Sequence, residues 1–216
     1  MQLPGWFGIL IMSYLLGSIP FELLVVKWRT GKDVRKVGSG CTGGTNAMRV
    51  AGYGIGVLTL VMDSLKAACA VWLARRLANG NVWIEVAAPL LAILGHNYSI
   101  FLKERDERGR IRFRGGAGGA PALGGALGLW PPIVLVIVPI DVLIFFGVGY
   151  ASVTTLSVGI LAMIVFGLRA WRGLSPWGYV FFGLVAEMLL LWNLRPNIRN
   201  LIQGTERGVS WRARKK

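Results

Sequence analysis

A stretch of glycines and small polar residues between positions 38 and 49 carries the densest set of groups that can bind an anion. It reads Gly38-Ser39-Gly40-Cys41-Thr42-Gly43-Gly44-Thr45-Asn46-Ala47-Met48-Arg49. Glycine reaches positive φ easily, so such a segment can turn backbone N–H groups toward an oxyanion. The hydroxyl, amide and guanidinium side chains add donors. The stretch lacks the Gly-Lys-Ser/Thr of a Walker loop. It predicts an anion cradle, although a flexible polar linker between two membrane helices has a similar composition.

A second glycine-rich stretch and the single histidine extend the set of residues that could do chemistry. The stretch reads Gly115-Gly116-Ala117-Gly118-Gly119-Ala120-Pro121 and follows a charged loop at 103–114. The histidine lies in Gly95-His96-Asn97, near the end of an apolar run. A histidine in this position is often a structural hydrogen-bonding residue, so its type alone assigns no role.

Composition defines the elements that must position these residues. The chain has 216 residues, of which 54% are hydrophobic, with a mean hydropathy of +0.57. Long uninterrupted apolar runs at this composition predict a polytopic membrane protein, which we treat as one membrane-embedded domain over 1–216. The net charge is +14, but the basic residues lie in short loops, which favours membrane topology over nucleic-acid binding. Cys41 and Cys69 have neither metal nor redox spacing.

The hydropathy pattern predicts an all-α fold of about seven transmembrane helices, with short re-entrant or half helices. We place the spans at 5–26, 54–74, 82–102, 117–130, 132–149, 153–168 and 177–194. The segment 117–130 is too short for an ordinary crossing, which needs about 20 residues. Pro20 interrupts the first span. A five-helix arrangement is the alternative.

The placement of charge orients the seven helices. The loops 27–49 and 103–114 and the tail from 195 then share one side and hold 19 of the 24 Lys and Arg residues. The positive-inside rule puts that side in the cytoplasm, with the N-terminus outside and the C-terminus cytoplasmic. The same arrangement places both glycine-rich stretches, His96, Ser152 and Asn197 at one face, which predicts a single site there. Within the spans, Asp63 and Lys66 are three residues apart and predict an ion pair. We place Glu22 near the site.

The residues in this order and spacing resemble the bacterial acyl-phosphate:glycerol-3-phosphate acyltransferase (PlsY) family over nearly the whole chain. The matching pieces are Gly17-Ser18-Ile19-Pro20-Phe21, Asp33 to Gly43 with Thr45-Asn46 and Arg49, Asp63 with Lys66, Gly95-His96-Asn97 with Phe101-Leu102, Gly115-Gly116, Ser152, and Asn197 to Ile202 with Gly204-Thr205-Glu206. The first cradle is the most specific piece, and the tail motif is the next.

The resemblance implies an enzyme that moves an acyl group from acyl phosphate to the 1-hydroxyl of sn-glycerol 3-phosphate, giving lysophosphatidic acid and phosphate. It implies no cofactor, no metal and no nucleic acid, and a monomer in lipid with its active site at the cytoplasmic face of the bacterial inner membrane. Acyl phosphate is already activated, so the protein must supply positioning and oxyanion stabilisation, without an acyl-enzyme. Either His96 or a substrate phosphate could act as the base.

The resemblance also implies roles for individual residues. The catalytic residues are Ser39, Asn46 and His96. The substrate-binding residues are Gly40, Gly43, Thr45, Arg49, Arg114, Gly115, Gly116, Ser152 and Asn197.

One departure from the family pattern affects the second glycine-rich stretch. The family reads Gly-Gly-Lys-Gly, whereas this chain has Ala117 at the lysine position. Losing a charge-assisted contact to phosphate costs about 1.5–3 kcal/mol if nothing replaces it. Arg114, or Arg112, could compensate. Ala117 leaves open a catalytically weakened relative that binds phosphate or lipid. A small-anion transporter is a second alternative, because half-helices and glycines also build transport sites.

Overall fold

The computed structural model describes residues 3–38, 40–105, 109–113 and 115–209. Two predicted site residues, Ser39 and Arg114, lie outside this part of the chain. The described residues form nine α-helices and one short hairpin. The helices are α1 (Leu3–Ser18), α2 (Phe21–Thr30), α3 (Gly44–Ala51), α4 (Tyr53–Leu77), α5 (Val82–Asn97), α6 (Gly119–Leu129), α7 (Val134–Val148), α8 (Ala151–Trp171) and α9 (Gly178–Ile202); the strands are β1 (Lys103–Arg105) and β2 (Ile111–Phe113).

Six helical segments of the described chain are long and apolar enough to cross a membrane. They are Gly5–Thr30, Tyr53–Leu77, Val82–Leu102, Pro131–Val148, Ala151–Trp171 and Gly178–Ile202, and α6 adds a shorter apolar helix. The prediction of about seven apolar helices, one of them short, is confirmed. The first segment is divided into α1 and α2. The helix breaks before Pro20 because proline cannot donate a backbone hydrogen bond.

The short helix α6 runs from the second glycine-rich stretch to the C-terminal end of α4. Its 11 residues begin in the second glycine-rich stretch and end at Leu129, whose carbonyl accepts a 3.1 Å hydrogen bond from Arg75 near the end of α4. A rise of about 1.5 Å per residue makes α6 about 16 Å long. A Cβ added at Gly124 would collide with the Ser64 backbone, so the glycine lets α6 lie directly against α4.

Close contact between α1 and α5 brings His96 to the same region. A Cβ at Gly17 would overlap the Ala92 backbone, and a Cβ at Gly95 would overlap the Tyr14 carbonyl. These two glycines sit one residue before Ser18 and His96. Small residues at a helix contact allow the backbones to approach, and that contact fixes the end of α5 beside the break between α1 and α2.

The charged loop predicted at 103–114 contains a structured piece. β1 and β2 pair antiparallel with Lys103 opposite Phe113. Arg35 ties this hairpin to the preceding loop through an ion pair of 2.7 Å to Glu104 and one of 2.6 Å to Asp33. The hydrogen bond from the Arg35 side chain lowers the pKa of Asp33 to about 2. Two smaller differences lie elsewhere: α3 begins inside the predicted cradle, and α9 continues past 194 to Ile202.

Candidate active site

A cavity of about 460 Å³ lies where three helices begin. Its walls come from the cradle at 41–49, the stretch 117–120, the start of α8, the end of α9 and the tail at 205–207. Glu22, Leu60 and His96 complete the lining. The prediction that both glycine-rich stretches, His96, Ser152 and Asn197 contribute to one region agrees with this arrangement.

Three helix N-termini give the cavity its attraction for anions. The N-cap residues of α3, α6 and α8 are Gly43, Gly118 and Tyr150, and none of them supplies a side-chain hydrogen bond to the first turn of its helix. The first N–H groups of a helix have no partner inside the helix and carry the positive end of its dipole. Residues at all three starts line the cavity. Such a set of helix ends is suited to phosphate or carboxylate groups.

Side chains add charge and hydrogen-bond donors around these helix ends. Arg49 and Arg207 both line the cavity, and partial burial together with the nearby charge of Arg207 lowers the pKa of Arg49. Ser152 is 4% exposed, and its hydroxyl has no hydrogen-bond partner within the described chain. Asn197 donates a 3.0 Å hydrogen bond to Glu206. Two cations and an available hydroxyl face the same space.

Asn46 holds the cradle in shape. Its side-chain nitrogen lies 3.1 Å from the carbonyl of Val34, 3.1 Å from that of Val37 and 3.0 Å from that of Cys41. These contacts pin the loop before α3 to the first turn of that helix. Gly38 adopts a φ of 68°, and a Cβ there would collide with the Asn46 amide. Asn46 lines the cavity, but its amide nitrogen is occupied by the loop.

His96 forms part of a buried polar cluster beside the cavity. Its Nδ1 lies 3.0 Å from Lys66 Nζ, and Lys66 forms the predicted ion pair with Asp63 at 2.6 Å. Lys66 also donates a 3.0 Å hydrogen bond to the Ile19 carbonyl. Oxygen or nitrogen atoms of Glu22, Asp63 and His96 lie within 4.8 Å of one another. The Lys66 ammonium contacts two of these three groups, so the cluster already holds a cation of its own.

Three predicted binding glycines do not line the cavity but shape its surroundings. Gly40 has a φ of 71° in the turn of the cradle. A Cβ at Gly115 would collide with the backbone of the last turn of α5, and a Cβ at Gly116 would collide with the Thr42 carbonyl and His96 Nε2. The Gly116 carbonyl accepts a 2.6 Å hydrogen bond from Asn193. The other described site predictions, Gly43, Thr45, Arg49, Ser152 and Asn197, line the cavity.

Several lining residues were not predicted. They are Cys41, Thr155, Asn200, Thr205, Glu206 and Arg207. The last three lie in a tail that folds back over the cradle, where Arg207 donates a 2.9 Å hydrogen bond to the Gly38 carbonyl. Val209 N–H anchors this tail to the Gly149 carbonyl at 3.0 Å. The motif Gly204-Thr205-Glu206 marked this tail as part of the family pattern. It did not predict that the tail folds back to the cavity.

Fold and cavity together define an integral membrane protein of apolar helices, with a cavity at which three helices begin. A family model described as glycerol-3-phosphate acyltransferase matches residues 7–204, and the chain belongs to that family. The resemblance seen in the motifs is confirmed, and so is the interpretation of the chain as a membrane acyltransferase.

Similar proteins match the chain over nearly its whole length. A glycerol-3-phosphate acyltransferase of Rubrobacter xylanophilus is 36% identical over 205 residues, which cover 95% of this chain and 96% of the relative. One of Myxococcus xanthus is 37% identical over 200 residues, covering 93% and 97%. The crystal structure of PlsY in its glycerol 3-phosphate form has a TM-score of 0.80 at 30% identity, and the lysophosphatidic acid form has 0.79 at 28%; each match covers 94% of both chains.

Proposed function

We propose that this protein transfers the acyl group of acyl phosphate to the 1-hydroxyl of sn-glycerol 3-phosphate. The hydroxyl oxygen bonds to the acyl carbon, the bond from that carbon to the phosphate oxygen breaks, and the hydroxyl proton leaves on the released phosphate. The products are lysophosphatidic acid and inorganic phosphate. The solved PlsY structures in glycerol 3-phosphate and lysophosphatidic acid forms support this acceptor and this product.

The observation that carries the proposal is the meeting of three uncapped helix N-termini in one cavity. A reaction between two phosphate-bearing substrates needs separate clusters of donors for two anions. Positive helix ends also stabilise the oxyanion of a tetrahedral intermediate without reorganising. In this proposal Thr45 and the start of α3 hold the acyl phosphate. Arg49, Ser152 and Asn197 hold glycerol 3-phosphate, and Asn46 keeps the cradle in place.

The direction of the protein in the membrane is part of the proposal. Loops rich in Lys and Arg lie on the side of the cavity, so the positive-inside rule puts the site and the C-terminus in the cytoplasm. We propose a monomer as the active form. We place the protein in the bacterial inner membrane, where glycerol 3-phosphate reaches the site from the cytoplasm and the acyl donor reaches it from the lipid.

The function can be tested with purified protein in detergent or lipid. Phosphate release from palmitoyl phosphate is followed with and without glycerol 3-phosphate, and lysophosphatidic acid is identified by mass spectrometry. The variant Ser152→Leu places a larger side chain at the cavity wall and is expected to abolish release. Ser175→Leu, in the loop between α8 and α9, is the matched control and should retain it. Thermal unfolding of each variant shows whether the fold is kept.

Each alternative function predicts a different result. A weakened relative gives no acceptor-dependent release until Ala117→Lys restores a cation in the cavity wall. A small-anion transporter gives phosphate flux into proteoliposomes with no lysophosphatidic acid. A folded wild type and a folded Ala117→Lys variant that both fail to make the product would reject the acyltransferase proposal.

A further inference from the structure

The buried contact between Lys66 and His96 determines which ring nitrogen of the histidine carries its proton. Lys66 Nζ lies 3.0 Å from His96 Nδ1, and the same ammonium is ion-paired with Asp63 at 2.6 Å. An ammonium group has hydrogen-bond donors and no acceptor. Nδ1 must therefore offer its lone pair to Lys66. A neutral imidazole has one N–H, so that proton lies on Nε2.

The chain holds Lys66 in this position through a feature of the first span. The helix breaks at Pro20, and the Ile19 carbonyl at the break accepts a 3.0 Å hydrogen bond from Lys66 Nζ. Asp63 Oδ1 lies farther from His96 Nδ1, at 3.6 Å, which is too long for a hydrogen bond. Lys66 is thus the closer partner of Nδ1. The Ile19 carbonyl and the Asp63 carboxylate hold the Lys66 ammonium in this orientation.

The opposite edge of the ring faces the cradle. A Cβ added at Gly116 would collide both with His96 Nε2 and with the Thr42 carbonyl. His96 itself lines the cavity, and so do Cys41 and Gly43, the neighbours of Thr42 in the chain. The nitrogen that carries the proton therefore faces Gly116 and the Thr42 carbonyl of the cradle. The groups that face the ring from neighbouring elements are Glu22 on α2 and Asp63 and Lys66 on α4.

We infer that Lys66 is a positioning residue that holds His96 as the Nε2–H tautomer, so that His96 donates a hydrogen bond to bound acyl phosphate and does not act as the base. This inference rests on the proposed function for its consequence in the reaction. With Nε2 already protonated, the proton of the attacking hydroxyl passes to another acceptor, and the departing phosphate is the acceptor that the reaction itself supplies.

The tautomer can be read directly because the chain has one histidine. The full-length protein, carrying no histidine tag, is labelled with ¹⁵N-histidine and measured in detergent without substrates. Long-range ¹⁵N–¹H correlations identify Nε2, which couples to both ring C–H protons, whereas Nδ1 couples strongly to one. We expect Nε2 to be the protonated nitrogen and Nδ1 the unprotonated one at neutral pH. Protonation of Nδ1 alone, or of both nitrogens, would overturn the inference.

Two variants and a control connect the tautomer to the reaction. Lys66→Arg retains a donor for Nδ1 and should keep the wild-type pattern. The double variant Asp63→Leu with Lys66→Met removes this ion pair as a unit, so that neither of its two members is left without the other. It should show a mixture of tautomers and lose about 10- to 100-fold in kcat, with little change in the KM for glycerol 3-phosphate. Lys103→Met, at an exposed site in β1, is the control.

The two readouts separate failure of this inference from failure of the proposed function. If the double variant keeps the Nε2–H pattern and full kcat, Lys66 does not position His96 and the inference is wrong. If the wild type shows the expected tautomer but makes no lysophosphatidic acid, the tautomer assignment is upheld and the proposed reaction is rejected.

Discussion

Arg49 offers the sharpest test of how the cavity binds its acceptor. In the structure its side chain makes a long hydrogen bond, 3.4 Å to the Gly208 carbonyl. Replacing it by alanine therefore costs the free protein little. Partial burial and the nearby charge of Arg207 lower the pKa of Arg49, so two cations share the cavity. A bound phosphate relieves that repulsion, and Arg49→Ala should act chiefly on substrate binding.

The size of the effect follows from the exposure of the side chain. A hydrogen bond to a charged group contributes about 1.5–3 kcal/mol, and Arg49 is solvent-accessible, which places it in the lower half of that range. About 1.5–2 kcal/mol corresponds to an increase of about 10- to 30-fold in the KM for glycerol 3-phosphate. Arg49→Lys should recover only part of this, because an ammonium cannot bind phosphate in the two-pronged manner of a guanidinium.

The assay measures acceptor-dependent phosphate release from palmitoyl phosphate over a range of glycerol 3-phosphate concentrations. Arg207→Ala should raise KM less than about fivefold, because Arg207 is exposed and already bonded to the Gly38 carbonyl. Arg172→Ala, exposed between α8 and α9, is the control and should match the wild type. An unchanged KM in a folded Arg49→Ala variant, or a loss confined to kcat, would refute a binding role for this guanidinium.

Three further predictions address the cavity wall and the loop beside it. Ala117 lines the cavity, so Ala117→Lys should retain activity and lower the KM for acyl phosphate about three- to tenfold in the same assay. Cys41 is an exposed thiol that lines the cavity. N-ethylmaleimide should therefore inhibit the wild type and Cys69→Ala but not Cys41→Ala, and glycerol 3-phosphate should slow the inhibition. Arg35 lowers the pKa of Asp33 from 3.8 to about 2. The stabilisation from this contact is fully present above pH 3.8 and is lost as the pH falls toward 2. The unfolding temperatures of the wild type and Asp33→Asn in detergent should therefore converge over that interval, and a constant difference would contradict the role of this pair.

The apolar helices could be predicted from the sequence because each contains a continuous hydrophobic run with recognisable ends. The break at Pro20 could be predicted because proline lacks a backbone donor. The short helix after Gly118 could be predicted because its apolar run is too short for an ordinary crossing. The Asp63–Lys66 ion pair followed from helical spacing. These features depend on residues close together in the chain.

The parts that sequence reasoning missed depend on contacts between distant segments. Nothing local to Arg207 indicates that its segment folds back onto Gly38. Likewise, Gly115 and Gly116 were predicted to bind substrate, and their sequence alone did not indicate that their missing side chains also make room for α5 and the cradle. The catalytic role predicted for Asn46 gave no sign that its amide also bonds the carbonyls of Val34, Val37 and Cys41. A motif shows which residue types are required, and only the packing distinguishes a residue that touches the ligand from one that supports its neighbours.

The length of α6 has a consequence for how a lipid and a water-soluble metabolite can meet. The far end of α6 lies among groups typical of a membrane–water interface, where Arg169 stacks on Trp130 at 3.8 Å. With that end at one face of a hydrocarbon layer about 30 Å thick and α6 along the membrane normal, the N-terminal end of α6, about 16 Å away, is about 14 Å from the opposite face. In this placement, which we propose, the cavity at the N-terminus of α6 lies below the headgroups. In the proposed reaction, a palmitoyl chain reaches that depth by sideways diffusion, which avoids a transfer to water costing about 0.8 kcal/mol per CH₂. Only the small polar acceptor has to descend, and the finished lipid leaves in the plane of the membrane.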